Sequence, residues 1–248
     1  MRNWFAGFGG QLKPGPAIPS PNIWNWPDIY ERENAAQDAD REIWAVLREL
    51  ASWAGTDVLD IGCGDGYHLP LFAAEARSVI GIEPHPPLVD RARARTAGLA
   101  RVRVFEAGAA ALPLPDRSID LAHARTAYFF GPGCEAGLAE ADRVLRPGGA
   151  LAIVDLDFTA APYGDWLRAD LPRYNPAAVE RYFAVRDFTM RRVPTVWRFA
   201  DRPTLEAVLR IEFSAAVAER AIATTPGLTI PVGYRVHLRR KPIRPVSA

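Results

Sequence analysis

The sequence predicts an α/β fold built around a mostly parallel β-sheet. Two observations lead to this prediction. From residue 58 onward, short apolar runs alternate with stretches of helical periodicity, which is the pattern of βα units. The first apolar run leads directly into three alternate glycines, an arrangement typical of a ligand-binding turn between a strand and a helix.

The composition is that of a globular protein. Of the 248 residues, 49% are apolar and 24% are charged, which suffices for one sizeable core. The 30 basic and 29 acidic side chains nearly cancel, so no overall field would draw the chain to nucleic acid or to an anionic membrane.

The two cysteines, Cys63 and Cys134, form neither a disulfide framework nor a zinc motif, and we expect free thiols and no metal site. No apolar stretch approaches the roughly 20 residues of a membrane span. The first residues do not have the pattern of a signal peptide. We therefore expect a cytoplasmic protein.

Residues 1–38 are predicted to form an aromatic N-terminal arm or lid, and residues 39–248 the main domain. The arm is rich in Pro and Gly and lacks a clear period, so we expect it to be mostly irregular until it turns helical near Tyr30. It either closes over the site as a lid or packs against the outside of the sheet. Its aromatic residues are Trp4, Phe5, Phe8, Trp24, Trp26 and Tyr30.

The elements that follow are predicted from periodicity. A helix from Asp40 has one apolar face, with Asp38 and Asp40 as cap candidates. A second helix over 136–145 is expected to end in a return turn at Arg146-Pro147-Gly148-Gly149. Five strands are predicted at Val58–Ile61, Val79–Ile82, Val102–Phe105, Ile119–Ala124 and Leu151–Val154.

The C-terminal third is less regular. We predict a helix over 177–185, a strand within 188–199, helices over 204–224 and a last strand over 234–239. An aromatic stretch either covers a substrate site or belongs to the core, and it contains Phe158, Tyr163, Trp166 and Tyr174. The basic residues near the end predict a strand with solvated basic flanks rather than a nucleic-acid site, because no RNA- or DNA-binding module accompanies them. They are Arg235, Arg239, Arg240, Lys241 and Arg244.

The strongest functional motif is the run from Val58 to Gly66, VLDIGCGDG. Its glycines let the backbone turn tightly and approach a ligand, and a helix predicted over 67–76 would direct its free N–H groups to the same place. The motif fits a carboxylate-bearing cofactor; the alternative is a turn that binds nothing. Tyr67 stands where a dinucleotide fingerprint has its third glycine, which disfavours NAD, and no Gly-Lys-Ser/Thr follows for a P-loop. Glu83, at the end of the second strand, is placed to accept hydrogen bonds from ribose hydroxyls, unless it is a solvated loop residue.

Four segments resemble the class I S-adenosylmethionine-dependent methyltransferases, in particular their type 11 small-molecule branch. They are VLDIGCGDGYHLPLFA at 58–73, VIGIEP at 79–84, ALPLPDRSIDLAHAR at 111–125 and EADRVLRPGGALAIVD at 140–155. The resemblance implies a Rossmann-like, doubly wound sheet of seven strands in the order 3-2-1-4-5-7-6, with helices on both faces and an antiparallel last strand. It also implies S-adenosyl-L-methionine as cofactor.

Carried over to this chain, the resemblance makes Asp60 and the glycines the loop around the methionine part of the cofactor, and Glu83 the acid that binds ribose. Arg125 would contribute backbone near the methionine carboxylate. Gly108 stands where much of the branch has an acid that meets adenine, so the backbone of residues 107–109 would have to serve instead. The cofactor-binding residues implied are Tyr30, Asp60, Gly62, Cys63, Gly64, Gly66, Tyr67, Glu83, Pro84, Ala109 and Arg125.

Methyl transfer from a sulfonium needs positioning and exclusion of water more than a metal or a covalent nucleophile. A hydroxyl acceptor would still benefit from a general base, and His68 or His123 is the candidate, unless each is simply bonded locally or packed. Tyr128 is expected to line the acceptor pocket or to pack in an aromatic cluster. Asp157 either faces the cleft or is a solvated loop acid.

The sequence thus predicts methyl transfer to a small organic acceptor, with oxygen preferred, by a monomer or homodimer that binds neither nucleic acid nor membrane. After the fourth strand, the sequence lacks a run of the Asn/Asp-Pro-Pro-Tyr/Phe type, which is found in methylases resembling those that act on base amino groups. Two alternatives stay open: a sensor or scaffold that binds S-adenosylmethionine without catalysis, and a nucleotide- or NAD-dependent enzyme.

Overall fold

A computed structural model describes residues 20–243, and these form a seven-stranded sheet with helices around it. The spatial order of the strands is β3-β2-β1-β4-β5-β7-β6, as the resemblance implied. The strands are β1 (Asp57–Ile61), β2 (Ser78–Glu83), β3 (Val102–Glu106), β4 (Ile119–Arg125), β5 (Leu145–Leu156), β6 (Thr189–Arg198) and β7 (Thr229–Arg240).

The sheet is parallel from β3 to β5, and only β7 runs against its neighbours β5 and β6 among the strands described. This confirms the predicted antiparallel last strand. Because β1, β2 and β4 are parallel, their carboxyl ends meet at one edge of the sheet, where ligands bind in folds of this kind.

Ten helices occur within residues 20–243, and none is both long and apolar enough to cross a membrane. They are α1 (Pro21–Asn25), α2 (Pro27–Ala36), α3 (Glu42–Leu50), α4 (Leu69–Ala73), α5 (Pro86–Thr96), α6 (Glu135–Val144), α7 (Tyr163–Asp170), α8 (Pro176–Ala184), α9 (Arg202–Glu212) and α10 (Ala215–Thr224).

The N-terminal segment becomes helical earlier than the sequence predicted. The expectation of an irregular chain up to Tyr30 is wrong from Pro21 onward, because α1 and α2 each begin with a proline, whose fixed φ suits the first helical turn. Neither cap candidate is the N-cap of α3, which is Arg41, but the carboxylate of Asp38 accepts the backbone N–H of Ile43 in the first turn at 3.1 Å. Trp4, Phe5, Phe8 and Arg244 lie outside the described residues.

Two predicted boundaries in the central region are wrong. The helix after the glycine loop spans only Leu69–Ala73, not 67–76, since residues 66–68 are still turning when Pro70 fixes the first helical turn. Residues 146–149 do not form a return turn but belong to β5. The register between β4 and β5 shifts there, and Gly148 N–H donates to the carbonyl of Lys241 at 2.8 Å, so the segment continues the sheet as a bulge.

The C-terminal helices and strands occur where they were predicted, with β7 extending further on both sides. The aromatic stretch before them is core: Phe158 and Tyr163 are buried, and Tyr163 lies in α7, which periodicity did not predict. The expectation of solvated basic flanks is wrong for Arg235, which is fully buried and bonds to Asp155 and to Tyr174 at 3.1 and 2.9 Å.

Candidate functional site

A cavity of about 120 Å³ opens at the carboxyl ends of β1, β2 and β4, and we call it the main cavity. Its walls come from the glycine loop, from the segments after β2, β3 and β4, and from α1 and α2. The sequence-predicted site residues that line it are Tyr30, Gly62, Cys63, Gly64, Tyr67, His68, Glu83, Pro84, Ala109, Arg125 and Tyr128; Asp60, Gly66 and His123 are not among the lining residues.

The glycine loop needs its glycines for two separate reasons. Gly62 and Gly64 have φ of +74° and +57°, a backbone conformation that side chains with a Cβ rarely adopt. A Cβ on Gly62 would stand 2.5 Å from the Cβ of Ala127, and one on Gly64 would stand 2.9 Å from Ile23. The loop therefore lies in close contact with the segment after β4 and with α1, and it forms the floor of the main cavity.

Glu83 presents a buried carboxylate to the main cavity. It ends β2 with 5% exposure, and its two oxygens accept the backbone N–H groups of Gly64 and His85 at 3.1 and 3.0 Å. Each oxygen keeps a second lone pair for a further donor. Burial raises the pKa of Glu83 to about 7, against the opposing effect of the two N–H bonds. A carboxylate so placed can accept two hydroxyl groups of a ribose.

Asp60 and His123 form a pair below the floor of the main cavity. Both are buried, and Nδ1 of His123 lies 2.7 Å from Oδ1 of Asp60. The imidazole packs against the rings of Trp44 and Phe72, which also contact each other. This pair joins the adjacent strands β1 and β4, and the structure does not bring His123 to the cavity in which an acceptor would bind.

Arg125 brings its side chain, and not only its backbone, to the main cavity. The guanidinium is 9% exposed, donates to Gln37 Oε1 at 2.8 Å and lies over the ring of Tyr234 at 5.2 Å. Within residues 20–243 it has no carboxylate within ion-pairing distance, and its Nε is buried without a partner. A buried cation of this kind favours an anionic ligand group nearby.

The segment after Arg125 is strained. Thr126 and Tyr128 have φ of +46° and +53°, which is unusual for residues other than glycine and costs about 1–3 kcal/mol each. The ring of Tyr128 lies close to Gly137 in α6, where a Cβ would stand 2.3 Å from it, so packing against α6 holds the segment in place. Strain of this kind is often found where backbone must face a ligand.

His68 lines the main cavity beside the glycine loop, with its ring 5.2 Å from that of Trp44. Burial, and then the charge of Arg125, lowers the pKa of His68 well below its usual value. The imidazole is thus neutral at pH 7 and a weak proton acceptor. Asp157 does not line the main cavity: it is buried, accepts the hydroxyl of Thr159 at 2.6 Å and pairs with Arg192 at 3.0 Å.

Helices α1 and α2 form part of the wall of the main cavity, which the periodicity of the sequence did not indicate. The indole of Trp24 stacks on the imidazole of His85, with 4.3 Å between the ring centroids. Arg95 in α5 donates to the buried Asp65 at 2.9 Å and also bonds to Glu31 in α2, and so ties α2 to the glycine loop. Asn34 and Gln37 line the cavity as well, although polar residues on an N-terminal helix give no sequence pattern that marks them as functional.

The wall after β3 is apolar where it lines the main cavity, at Ala107 and Ala109. Together with Glu83 on one side and Arg125 on the other, the cavity offers a flat apolar face, an acceptor carboxylate and a cation. These three features fit a cofactor that combines a nucleobase, a ribose and a carboxylate. S-adenosylmethionine has these three parts.

Comparison with known proteins agrees with this geometry. A family model for methyltransferase domains matches residues 58–149. The demethylmenaquinone methyltransferase of Tropheryma whipplei is 31% identical over 167 residues, which cover 61% of this chain and 68% of that protein. The 27-O-demethylrifamycin SV methyltransferase of Amycolatopsis mediterranei is 40% identical over 124 residues, which cover 48% of this chain and 45% of that protein.

Other matches are narrower or concern the fold alone. The chain spans less than half the length of several curated relatives that it matches. A solved structure, that of the [4+2]-cyclase SpnF, superposes with a TM-score of 0.58 at 23% identity and covers 84% of this chain and 82% of the cyclase. Three observations lead to one assignment. They are the order of the strands, the glycine loop with an acid at the end of β2, and the match to a methyltransferase over two thirds of that protein's length. The chain belongs to the class I S-adenosylmethionine-dependent methyltransferases.

Proposed function

We propose that this protein transfers a methyl group from S-adenosylmethionine to a small organic acceptor, with an oxygen atom as the methylated position. The observation that carries the proposal is the main cavity, in which Glu83, the glycine loop and Arg125 line one continuous space with Tyr30 and Tyr128. S-adenosylmethionine supplies an activated methyl group. The other parts of the reaction fall to the residues that bind, orient and shield the acceptor.

Each wall has a proposed part in binding. Glu83 accepts the ribose hydroxyls, and Ala107 and Ala109 lie against the adenine, which they contact without the help of an acidic side chain. Arg125 and the glycine loop hold the methionine part. Tyr30, Tyr128 and the helices α1 and α2 exclude water from the acceptor, which gives residues 20–38 the part of a lid.

The acceptor class rests on the relatives. One is named for 27-O-demethylrifamycin SV, an oxygen acceptor by its name, and the other for demethylmenaquinone. Both names describe organic molecules rather than proteins or nucleic acids, and an apolar, aromatic-walled cavity fits such acceptors. Small phenols, quinols and alcohols are therefore the acceptors to test.

The fold by itself does not decide the chemistry, since SpnF is a cyclase with a similar fold. The test has two steps. Calorimetric titration with S-adenosylhomocysteine measures cofactor binding, and incubation with methyl-labelled S-adenosylmethionine and a panel of phenols, quinols and alcohols measures transfer. Binding with label in a product supports the proposal. Binding without transfer to any of them favours a sensor or scaffold, and the absence of binding contradicts both.

A further inference from the structure

A second, smaller cavity adjoins the main cavity, and we call it the inner chamber. Tyr30, Gln37 and Thr126 line both cavities, so they form the partition between them. The inner chamber has a volume of about 10 Å³, which is room for roughly one water molecule. Its other walls include Glu33, Glu212 and Tyr234.

The inner chamber contains two buried carboxyl groups that come from different parts of the chain. Glu33 in α2 is 2% exposed, and Glu212 at the end of α9 is 4% exposed. Glu33 Oε1 accepts the amide of Gln37 at 2.7 Å, and Glu212 Oε2 accepts the hydroxyl of Tyr163 at 2.9 Å. Asn22 donates to the other oxygen of Glu212.

The second oxygen of Glu33 shows where a proton lies. Oε2 is buried and receives no donor from the described residues, whereas each oxygen of Glu212 accepts one, from Asn22 and from Tyr163. A buried carboxylate oxygen without a donor is unfavourable, and a proton on it removes the charge. The proton of the pair therefore lies on Glu33, and Glu212 is the ionised member.

The surroundings set the charge of this pair. Burial, and then the charge of Glu212, raises the pKa of Glu33 well above its usual value, and burial raises the pKa of Glu212. The phenols of Tyr30, Tyr163 and Tyr234 face the pair and stay neutral, because burial raises their pKa values as well. The charge of Arg125, which donates to Gln37, opposes the rise in the pKa of Glu33. The two donors to Glu212 and the unpartnered Oε2 of Glu33 indicate that the pair holds one proton and one negative charge.

We propose that the Glu33–Glu212 pair takes up the proton that the acceptor loses on methylation, through one water molecule in the inner chamber. This inference rests on the methyl-transfer function proposed above. The acceptor O–H bond breaks and its electron pair forms the bond from oxygen to the methyl carbon, while the sulfur keeps the electrons of the sulfur–methyl bond. The proton goes to the water, which passes one of its own protons to the pair, and the pair becomes neutral.

His68 is a less suitable proton acceptor than the pair. Its imidazole is neutral, and burial makes its protonated form unfavourable, so it would return a proton readily. The pair already carries a negative charge, which a second proton removes. Before the reaction, Arg125 stabilises the negative charge of the pair. After the reaction the pair is neutral and Arg125 no longer has this charge beside it, which favours loss of the proton to solvent before the next turnover.

The first experiment tests the shared proton without any acceptor. Infrared spectra of the full chain at about pH 7 are compared with and without Glu33→Gln in a Glu83→Gln background, because Glu83, with a pKa of about 7, would give a protonated-carboxyl band of its own. Glu206→Gln in the same background is the control in α9, where Glu206 pairs with Arg202 and Arg210. We expect a protonated-carboxyl band in the Glu83→Gln background that is lost on Glu33→Gln and retained on Glu206→Gln. A Glu83→Gln spectrum without that band overturns the inference, whether or not the double variant folds.

The second experiment measures the proton transfer. With the phenol, quinol or alcohol that the wild type methylates, kcat of Glu212→Gln should fall by about 100-fold, within the usual range for loss of general-base assistance, because this substitution removes the ionised carboxylate of the pair. The wild-type rate should fall at low pH, where the pair is already doubly protonated, and Glu212→Gln should lack this acid limb. Glu33→Gln is the matched control: its amide keeps the neutral charge of the protonated Glu33 and leaves Glu212 ionised, so its rate should fall by less than that of Glu212→Gln.

The outcomes separate the inference from the function on which it rests. S-adenosylhomocysteine should bind to Glu212→Gln with a Kd within about twofold of the wild type, because the pair lines the inner chamber and not the main cavity. A Glu212→Gln variant that binds S-adenosylhomocysteine and keeps the full rate and the acid limb overturns the inference and leaves the proposed function intact. A wild type that binds S-adenosylhomocysteine but methylates nothing removes the function, and the inferred step fails with it.

Discussion

The carboxylate of Glu83 accepts the backbone N–H of Gly64, with 3.1 Å between the two heavy atoms. This bond crosses from the end of β2 to the glycine loop after β1, and it fixes one oxygen of the carboxylate while both keep a lone pair free toward the main cavity. The two parts of the predicted cofactor motif, which are 19 residues apart in the chain, are thus one hydrogen-bonded unit.

Replacing Glu83 tests this unit. Glu83→Gln keeps the shape of the side chain but removes the charge, so we expect the affinity for S-adenosylhomocysteine to fall by about 1.5–3 kcal/mol, the usual loss for hydrogen bonds to a charged group. Calorimetric titration measures the change. Glu106→Gln, at the exposed end of the neighbouring strand β3, is the control and should bind as the wild type does. Equal losses in the two variants would contradict the assignment of Glu83.

The pH dependence of binding follows from the raised pKa of Glu83, which is about 7. Ribose hydroxyls donate to the ionised form, so the affinity for S-adenosylhomocysteine should rise with pH and be about tenfold weaker near pH 6 than above pH 8. The pH dependence of the stability of the free protein has the opposite sign. Because the folded-state pKa is raised, the contribution of Glu83 to the stability of the free protein is present below its ordinary pKa and lost as pH rises through about 7. Glu83→Gln should bind without this pH dependence.

Gly62→Ala tests the close approach of the glycine loop to the segment after β4. The new Cβ would stand 2.5 Å from Ala127 on a backbone with φ of +74°, so we expect a loss of about 2–4 kcal/mol of stability. For a chain of this size, such a loss lowers Tm by roughly 4–16 °C. Gly98→Ala is the control, because nothing lies within 4 Å of a Cβ there. A thermal unfolding scan in which Gly62→Ala melts like Gly98→Ala would contradict this account.

His123→Ala separates a structural histidine from a catalytic one. The substitution leaves the buried carboxylate of Asp60 without the imidazole that lies 2.7 Å away, and it opens a space beside the rings of Trp44 and Phe72. We expect a loss of about 2–4 kcal/mol in urea unfolding, from the unpaired group and the cavity together. Affinity for S-adenosylhomocysteine at a temperature where the variant is folded should change little. A stable variant that loses only turnover would restore His123 as a catalytic candidate.

The sequence predicted the central sheet and the glycine loop correctly because both depend on local patterns. An apolar strand that leads into alternate glycines and is followed by an acid at the next strand end needs no long-range information, and Gly62 and Glu83 lie where this pattern put them. The order of the seven strands came from the resemblance to a family. Periodicity alone gives the strands but not their neighbours in space.

The parts that the sequence did not predict depend on contacts between distant residues. The bulge at 146–149 exists because Gly148 and Gly149 bond with Lys241, about 90 residues later in the chain, which local turn chemistry cannot indicate. Glu33 and Glu212 look like ordinary helical surface acids, and only the packing of α2 against α9 buries them together. His123 was predicted as a candidate base because it lies near the end of a strand. Its partner Asp60 lies on the adjacent strand, and the sequence alone does not show that the two residues pair.

The last prediction concerns Arg95, which ties α2 to the glycine loop by bonding both Asp65 and Glu31. Arg95→Met leaves the 2%-exposed Asp65 carboxylate without its cation and frees α2, so the wall of the main cavity should open more often. We expect about tenfold weaker binding of S-adenosylhomocysteine and faster proteolysis within residues 20–41. Arg91→Met, about one turn earlier on α5, removes only an exposed pair with Asp28, and exposed pairs contribute little. If the two variants lose affinity equally, the tie between α2 and the glycine loop does not close the cavity, and α2 is held by its packing against α9 instead.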